Sequence, residues 1–266
     1  MTWHRYVAIG DSFTEGVGDA DPAAPQTCIG WADRLAGQLG KRSAEEGAQR
    51  PRFEYANLAV RGRLLSDVVG PQLDAALRLE PDLLSVIGGG NDILRPKANL
   101  DGIADQLEDA VQRARWAGTD VLLSTLADPG RAPVIKAARP RVAAHNANVW
   151  GIAQRTESYV LDIWSMRSLR DIRMWAPDRL HLATQGHRRV ALQAAWTLGL
   201  IEGDREWAAA LPAGPAISRG HVAHNNVVWA KDYLAPWVQR RLQGRSSGDD
   251  VQPKSPQPRP FSQRYD

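Results

Sequence analysis

The sequence predicts an α/β fold in which a parallel β-sheet is covered by helices on both faces. Three observations carry this. Short apolar runs alternate with longer segments whose apolar residues recur at helical spacing. The segments between the runs are long enough to cross over and return the chain parallel to itself. Two of the runs break abruptly into small and polar residues, at Gly10-Asp11-Ser12 and at Gly88-Gly89-Gly90-Asn91-Asp92. In an open α/β sheet the carboxyl ends of the strands are where ligands bind.

The elements follow in order. A first strand over 4–9 ends in Gly10-Asp11-Ser12, and a long loop over 19–29 follows it. The segment 30–47 carries Trp31, Leu35 and Leu39 at helical spacing. A second strand covers 53–60. The helix expected over 66–79 places Val69, Leu73 and Leu77 on one face behind a Ser66 cap. A third strand spans 82–87, and a helix over 100–117 is closed by Gly118. Strands at 120–126 and 159–164 alternate with helices at 141–156 and 184–200. With right-handed crossovers, residues 1–201 make a three-layer α/β/α sandwich around five parallel strands in a flavodoxin-like order.

Beyond Gly199 the pattern changes. A short helix is expected at 204–211, and Pro212-Ala213-Gly214-Pro215 breaks it. Residues 220–242 read as a helix with Val227, Leu234, Trp237 and Val238 near one face, turned or kinked at Pro236. Segment 202–243 is therefore expected as a C-terminal helical arm packed on the main domain. From Gly244 to Asp266 the chain is Ser, Gly, Pro, Gln and charge, which cannot bury a core, so 244–266 is expected to be a disordered tail.

Composition narrows the function classes. The 266 residues are 43% hydrophobic and 24% charged, as a packed soluble core requires. The net charge of +3 is largely dispersed arginine, and no nucleic-acid motif accompanies it, so no nucleic-acid partner is expected. Cys28 is the one cysteine, which leaves no intrachain disulfide and no cysteine metal cluster. His221 and His224 stand three apart without an evident third ligand, so neither a metal nor another cofactor is expected. His187 reads as a packing or capping residue, His145 sits mid-helix and His4 opens a strand. No segment approaches the roughly 20 apolar residues of a membrane span. The first strand begins too early to leave room for a secretory leader, and the expected location is cytoplasmic.

Three strand ends carry groups that nucleophilic catalysis needs. Ser12 sits on a tight turn between a strand and a helix, the placement of a hydroxyl nucleophile. Taken alone, the same residues also read as a helix cap. Asp178 and His181, three apart in Ala176-Pro177-Asp178-Arg179-Leu180-His181, lie on the same sheet edge. Such an Asp can fix the imidazole tautomer and leave the other ring nitrogen to face the serine. Asn91 after the third strand and Gly62 after the second can donate toward a developing oxyanion.

These blocks, in this order, resemble the SGNH hydrolases, also called GDSL-type esterases and lipases. Gly10-Asp11-Ser12 resembles the first block, and Asn57 with Gly62 the second. Gly89-Gly90-Asn91-Asp92 is similar to the third, and Asp178 with His181 to the final Asp-x-x-His. Phe13 stands where many members have leucine, and Leu182 where a proline is common. The resemblance covers about residues 4 to 200. It implies Ser12 as nucleophile, His181 as base and Asp178 as its orienting group. The oxyanion donors implied are the Ser12 N–H, the Gly62 N–H and the Asn91 side chain, with Asp11 and Asp92 bracing the loops. The reaction implied is acyl transfer through an acyl-serine.

The expected substrate is a small-molecule ester with a short or acetyl acyl group. Acyl-CoA thioesterase and lysophospholipase chemistry on the same site, and a non-catalytic binding module on a hydrolase fold, are the alternatives. The loop 127–140 carries Arg131, Lys136 and Arg139, cations that would favour an anionic substrate group if they overhang the site. The arm is a candidate interface, and the sequence leaves the oligomeric state open.

Overall fold

The structure, a computed structural model, describes residues 2–45, 52–131, 135–214, 218–236, 239, 243 and 246–260. The strands are β1 (Arg5–Gly10), β2 (Ala20–Asp21), β3 (Ala24–Cys28), β4 (Glu54–Asn57), β5 (Leu83–Ile87), β6 (Asp120–Ser124), β7 (Tyr159–Leu161) and β8 (Ser255–Pro260). The main sheet runs β7-β6-β5-β1-β4-β8. Its first five strands are parallel, in the flavodoxin-like order. β1 lies at the centre, and its side chains alternate between two cores. Tyr6 and Ala8 join one, Val7 and Ile9 the other.

Each face is covered by helices. α2 (Trp31–Glu45) and α8 (Thr184–Thr197) pack together on the Tyr6 face, where Trp31, Leu35, Val190 and Ala194 are buried. On the Val7 face, α3 (Leu65–Asp67) and α4 (Leu73–Leu77) are joined by a wide π-helical stretch, Val68–Gln72. Beside them lie α6 (Leu100–Trp116) and α7 (Arg139–Thr156), with Leu107, Val111, Val149 and Ile152 buried between helix and sheet. Two short helices, α1 (Ser12–Glu15) and α5 (Gly90–Ile93), begin at the carboxyl ends of β1 and β5. A further helix, α9 (Arg219–Trp229), lies outside the sandwich.

Several sequence expectations are corrected. The sheet has six strands instead of five, because residues 246–260 are ordered and β8 pairs antiparallel with β4. Composition concealed this strand. Pro256, Pro258 and Pro260 strip the donors from one backbone edge only, and a border strand needs just the other edge for pairing. The donor-poor outer edge also blocks further strand addition. Residues 261–266 lie outside the described residues.

Ser66 lies inside α3 instead of capping it; the Asp67 carboxylate accepts the Leu64 N–H at 3.1 Å. The second strand is regular only over Glu54–Asn57, where the Asn57 side chain turns onto the Ala59 N–H (3.0 Å), although Leu58 and Val60 still donate to the Ala8 and Gly10 carbonyls of β1. The loop over 19–29 contains the β2–β3 hairpin. The expected helix at 204–211 is only a 3₁₀ turn, Glu206–Ala208. The arm is helical over Arg219–Trp229 and widens into a π-helical turn, Ala230–Leu234. Trp237 and Val238 lie outside the described residues. Among the described residues no helix is long and apolar enough to cross a membrane.

Candidate active site

The Ser12 turn is built by close packing. A Cβ at Gly10 would stand 2.6 Å from Thr14 Oγ1 and 2.7 Å from the Ile87 carbonyl, so only glycine lets β1 end against its neighbours. Gln72 clamps the same residue from the Val7 face. Its side chain accepts the Gly10 N–H at 2.8 Å and donates to the Gly10 carbonyl at 3.0 Å. Asp11 then caps α1 by accepting the Phe13 N–H at 3.0 Å. Ser12 becomes the first residue of that helix, half-buried. Burial pushes the Asp11 carboxyl up to about 6, against the Phe13 hydrogen bond and the charge of His181, which pull it down.

The second loop is held from α1. The Glu15 carboxylate accepts the Arg61 backbone N–H at 2.6 Å and pairs with the Arg61 guanidinium. Gly62 follows at φ +74°, a left-handed conformation natural to glycine. Asn57, fully buried, donates to the Thr14 carbonyl at 3.0 Å and to the Tyr55 hydroxyl at 2.9 Å. It ties the end of β4 to α1 and is far inside the core, away from solvent.

In the third loop, the Asn91 amide donates to Asp11 Oδ2 at 3.2 Å and to the Arg63 carbonyl at 2.9 Å. Asp92 accepts the Leu65 N–H at 2.9 Å and so tethers the start of α3. Burial raises the Asp92 carboxyl, against that hydrogen bond. Ser12, Gly62 and Asn91 therefore converge through shared partners: Glu15 and Asp11 link α1 to the other two loops.

The loop of Asp178 and His181 closes the edge. His181 Nδ1 and Asp178 Oδ2 are 2.6 Å apart, while Asp178 Oδ1 accepts the Leu180 and His181 N–H groups at 2.9 and 3.0 Å. Burial alone would raise the Asp178 carboxyl; the hydrogen bond and charge of His181 and these two N–H groups hold it below its ordinary value. With Nδ1 engaged, Nε2 is the nitrogen left for chemistry. Arg179 takes a left-handed backbone (φ +58°), which folds the Asp back onto the His. The loop abuts the chain after α1: a Cβ at Gly18 would overlap the Leu182 carbonyl and lie 3.2 Å from His181 Cβ. Among the described residues no hydrogen bond joins Ser12 to His181; such contacts in unliganded sites often tighten only with substrate. Among the described residues no hydrogen bond takes the N–H of Ser12 or of Gly62 either.

A sequence model of the GDSL-like lipase/acylhydrolase family matches residues 8–189. The chain belongs to this family. The match contains Ser12, Gly62, Asn91, Asp178 and His181, and stops before the arm and tail. Three solved structures place this GDSL-like acylhydrolase among known folds. TesA is 21% identical with a TM-score of 0.57, covering 74% of this chain and 99% of its own. The acetylxylan esterase Axe2 from Geobacillus stearothermophilus is 19% identical with a TM-score of 0.57, covering 76% and 98%. The lipase Lip_vut3 from a goat rumen metagenome is 20% identical with a TM-score of 0.56, covering 73% and 96%. No curated protein matches the chain. The GDSL-like acylhydrolase is thus an esterase-type enzyme by family, and these neighbours cover 73–76% of its chain.

Sequence reasoning missed three supporting residues. Gln72 clamps the end of β1, and Glu15 with Arg61 positions the Gly62 loop. Glu15 stands in the motif region and could have been weighed. Gln72 reads as one more polar residue of an amphipathic helix, and nothing local marks it. Of the loop cations, Arg139 is committed to Asp128 at 2.7 Å and lies 5.2 Å from the Trp164 ring centroid, while Lys136 is exposed. The Arg131 side chain lies outside the described residues. His187 is buried, accepting the Trp31 N–H at Nδ1 (3.3 Å), and burial pulls it down to about 3.

Proposed function

We propose that this GDSL-like acylhydrolase is a serine esterase that cleaves small-molecule carboxylic esters, with Ser12 as nucleophile. His181 Nε2 takes the Ser12 proton as the hydroxyl attacks the ester carbonyl, and Asp178 holds the imidazolium that forms. The tetrahedral oxyanion is met by the Ser12 and Gly62 N–H groups and by the Asn91 amide, which exchanges one of its protein acceptors for the substrate oxygen. His181 returns the proton to the leaving alcohol, and water then releases the acyl group from Ser12 by the same route reversed.

The observation that carries this reading is the 2.6 Å Asp178–His181 contact, with a carboxylate kept ionised despite its burial. A short acyl or acetyl group is the favoured substrate. Support comes from an acetylxylan esterase among the solved neighbours and from Ser246 and Ser247 of the C-terminal chain, which pack closely over Gly62. The test is hydrolysis of p-nitrophenyl esters from acetyl to palmitoyl by the wild type and Ser12→Ala. The expected result is activity that falls with chain length and vanishes in the variant. Activity that persists in Ser12→Ala, or rises toward palmitoyl, overturns the corresponding part.

A further inference from the structure

The tail beyond the family match touches the Gly62 loop from outside. A Cβ on Gly62 would overlap Ser246 Oγ and lie 3.3 Å from Ser247 Oγ, so the turn at 246–248 covers that residue. A Cβ on Gly248 would overlap the Arg61 carbonyl oxygen. That carbonyl and the Gly62 N–H belong to one planar peptide, so whatever limits the carbonyl also aims the N–H. The same loop is held on its inner side by Glu15, which accepts the Arg61 N–H at 2.6 Å.

The tail is in turn anchored next to that brace. Lys254 Nζ donates to the Glu15 carbonyl at 2.6 Å, to the Cys28 carbonyl at 2.9 Å and to Asp33 Oδ2 at 2.5 Å. Asp33 is buried and also accepts the Gly30 N–H at 2.7 Å. From Lys254 the chain enters β8 and pairs with β4, whose end leads into the Gly62 loop. The turn itself is closed by Asp249, which accepts the Ser246 N–H at 2.9 Å, and by Ser246 Oγ, which accepts the Gly248 N–H at 3.2 Å.

We propose that the tail turn at 246–248 is a wall of the catalytic site, with Gly248 and Lys254 as positioning residues that aim the Gly62 oxyanion donor. The proposal rests on the serine-esterase reading above. It makes the C-terminal segment part of the acylhydrolase machinery in this chain. It also explains why a tail of low-complexity composition is ordered: its glycine and serines fit where larger residues would displace the donor loop.

The test uses the full chain with Gly248→Ala and, separately, the double variant Lys254→Met with Asp33→Asn, which leaves no buried charge unpaired. Each is assayed on p-nitrophenyl acetate well below its thermal transition, with phosphonate labelling of Ser12 as a count of intact sites. Displacing one oxyanion donor without removing it should lower kcat about tenfold, short of the two to three orders of magnitude for complete loss. KM and labelling stoichiometry should stay within twofold of wild type. The same loss should appear as weaker inhibition by phenylboronic acid, whose tetrahedral adduct needs the same donors. Should Gly248→Ala fail to fold, the double variant carries the test. Folded variants with wild-type kcat and inhibition overturn the proposal alone. A wild-type chain that neither hydrolyses the ester nor labels at Ser12 removes the serine reading, and the proposal with it.

Discussion

Asp178→Asn isolates the chemistry of the base loop from its architecture. Asp178 Oδ1 holds the Leu180 and His181 N–H groups at 2.9 and 3.0 Å, and an asparagine oxygen can keep both. The Trp229 indole donates to the Asp178 main-chain carbonyl at 2.9 Å and is untouched by the change. What is lost is the 2.6 Å contact to His181 Nδ1, where an amide N–H replaces a carboxylate oxygen. The imidazole must then accept at Nδ1 and carry its proton on Nε2, where it cannot take one from Ser12. A wrong tautomer of this kind costs about 10⁴ in kcat, or about 5.5 kcal/mol of barrier. Stability should change far less, by about 2 kcal/mol for one charge-assisted hydrogen bond. Steady-state hydrolysis of p-nitrophenyl acetate beside a thermal melt reads both numbers. A folded Asp178→Asn chain within tenfold of the wild-type kcat would falsify the assignment of Asp178 as the orienting group.

Three further outcomes are expected. Asn91→Ala should lower kcat by about two to three orders of magnitude; an unchanged kcat in a folded variant removes Asn91 from the oxyanion site. Stability should fall as pH drops from 7 toward 4. His187, ordinarily at 6.5, is held near 3 in the folded chain, so the unfolded chain takes up its proton first. That contribution is complete above about 6.5 and is lost progressively as pH falls toward 3, a shift worth about 5 kcal/mol at its limit. Burial holds His145 near 4, with the same sign. Asp11 acts oppositely: its folded carboxyl keeps a proton to about 6 against an ordinary 3.8, so its contribution is present below about 3.8 and declines as pH rises through 6. A pH series of melting temperatures, with His187→Gln giving a shallower acid decline than wild type, checks the balance, and equal slopes would refute it. Trp229→Phe should keep the ring beneath Arg179 and lose the donor to Asp178, costing about 1 kcal/mol. A melting temperature equal to wild type would show that the arm does not brace the base loop.

The parallel sheet was legible because buried strands and amphipathic helices leave opposite periodicities in a chain, and the five parallel strands stand where those runs stand. Ser12, Gly62 and Asn91 were legible because each follows a strand end in a small or polar run, and Asp178 and His181 because of their spacing three apart. Their function in the site is a different matter. Asn91 donates to Asp11 and Arg63, and Gln72 clamps Gly10 from a helix that looks ordinary. Such pairings join residues tens of positions apart, and no local pattern encodes them.

The tail shows the same division most sharply. Its composition predicts disorder, since proline, serine and glycine bury little surface. Ordering comes from partners elsewhere in the fold: the open edge of β4, the buried Asp33 carboxylate that takes Lys254, and the narrow space over Gly62 that only a small residue enters. The sequence by itself determined the layered sheet and the family of its strand-end motifs, because periodicity and turn chemistry are local. The tertiary structure alone decided which backbone groups those motifs hold, and that Ser255–Pro260 joins the sheet, because both depend on surfaces that exist only once the chain has folded.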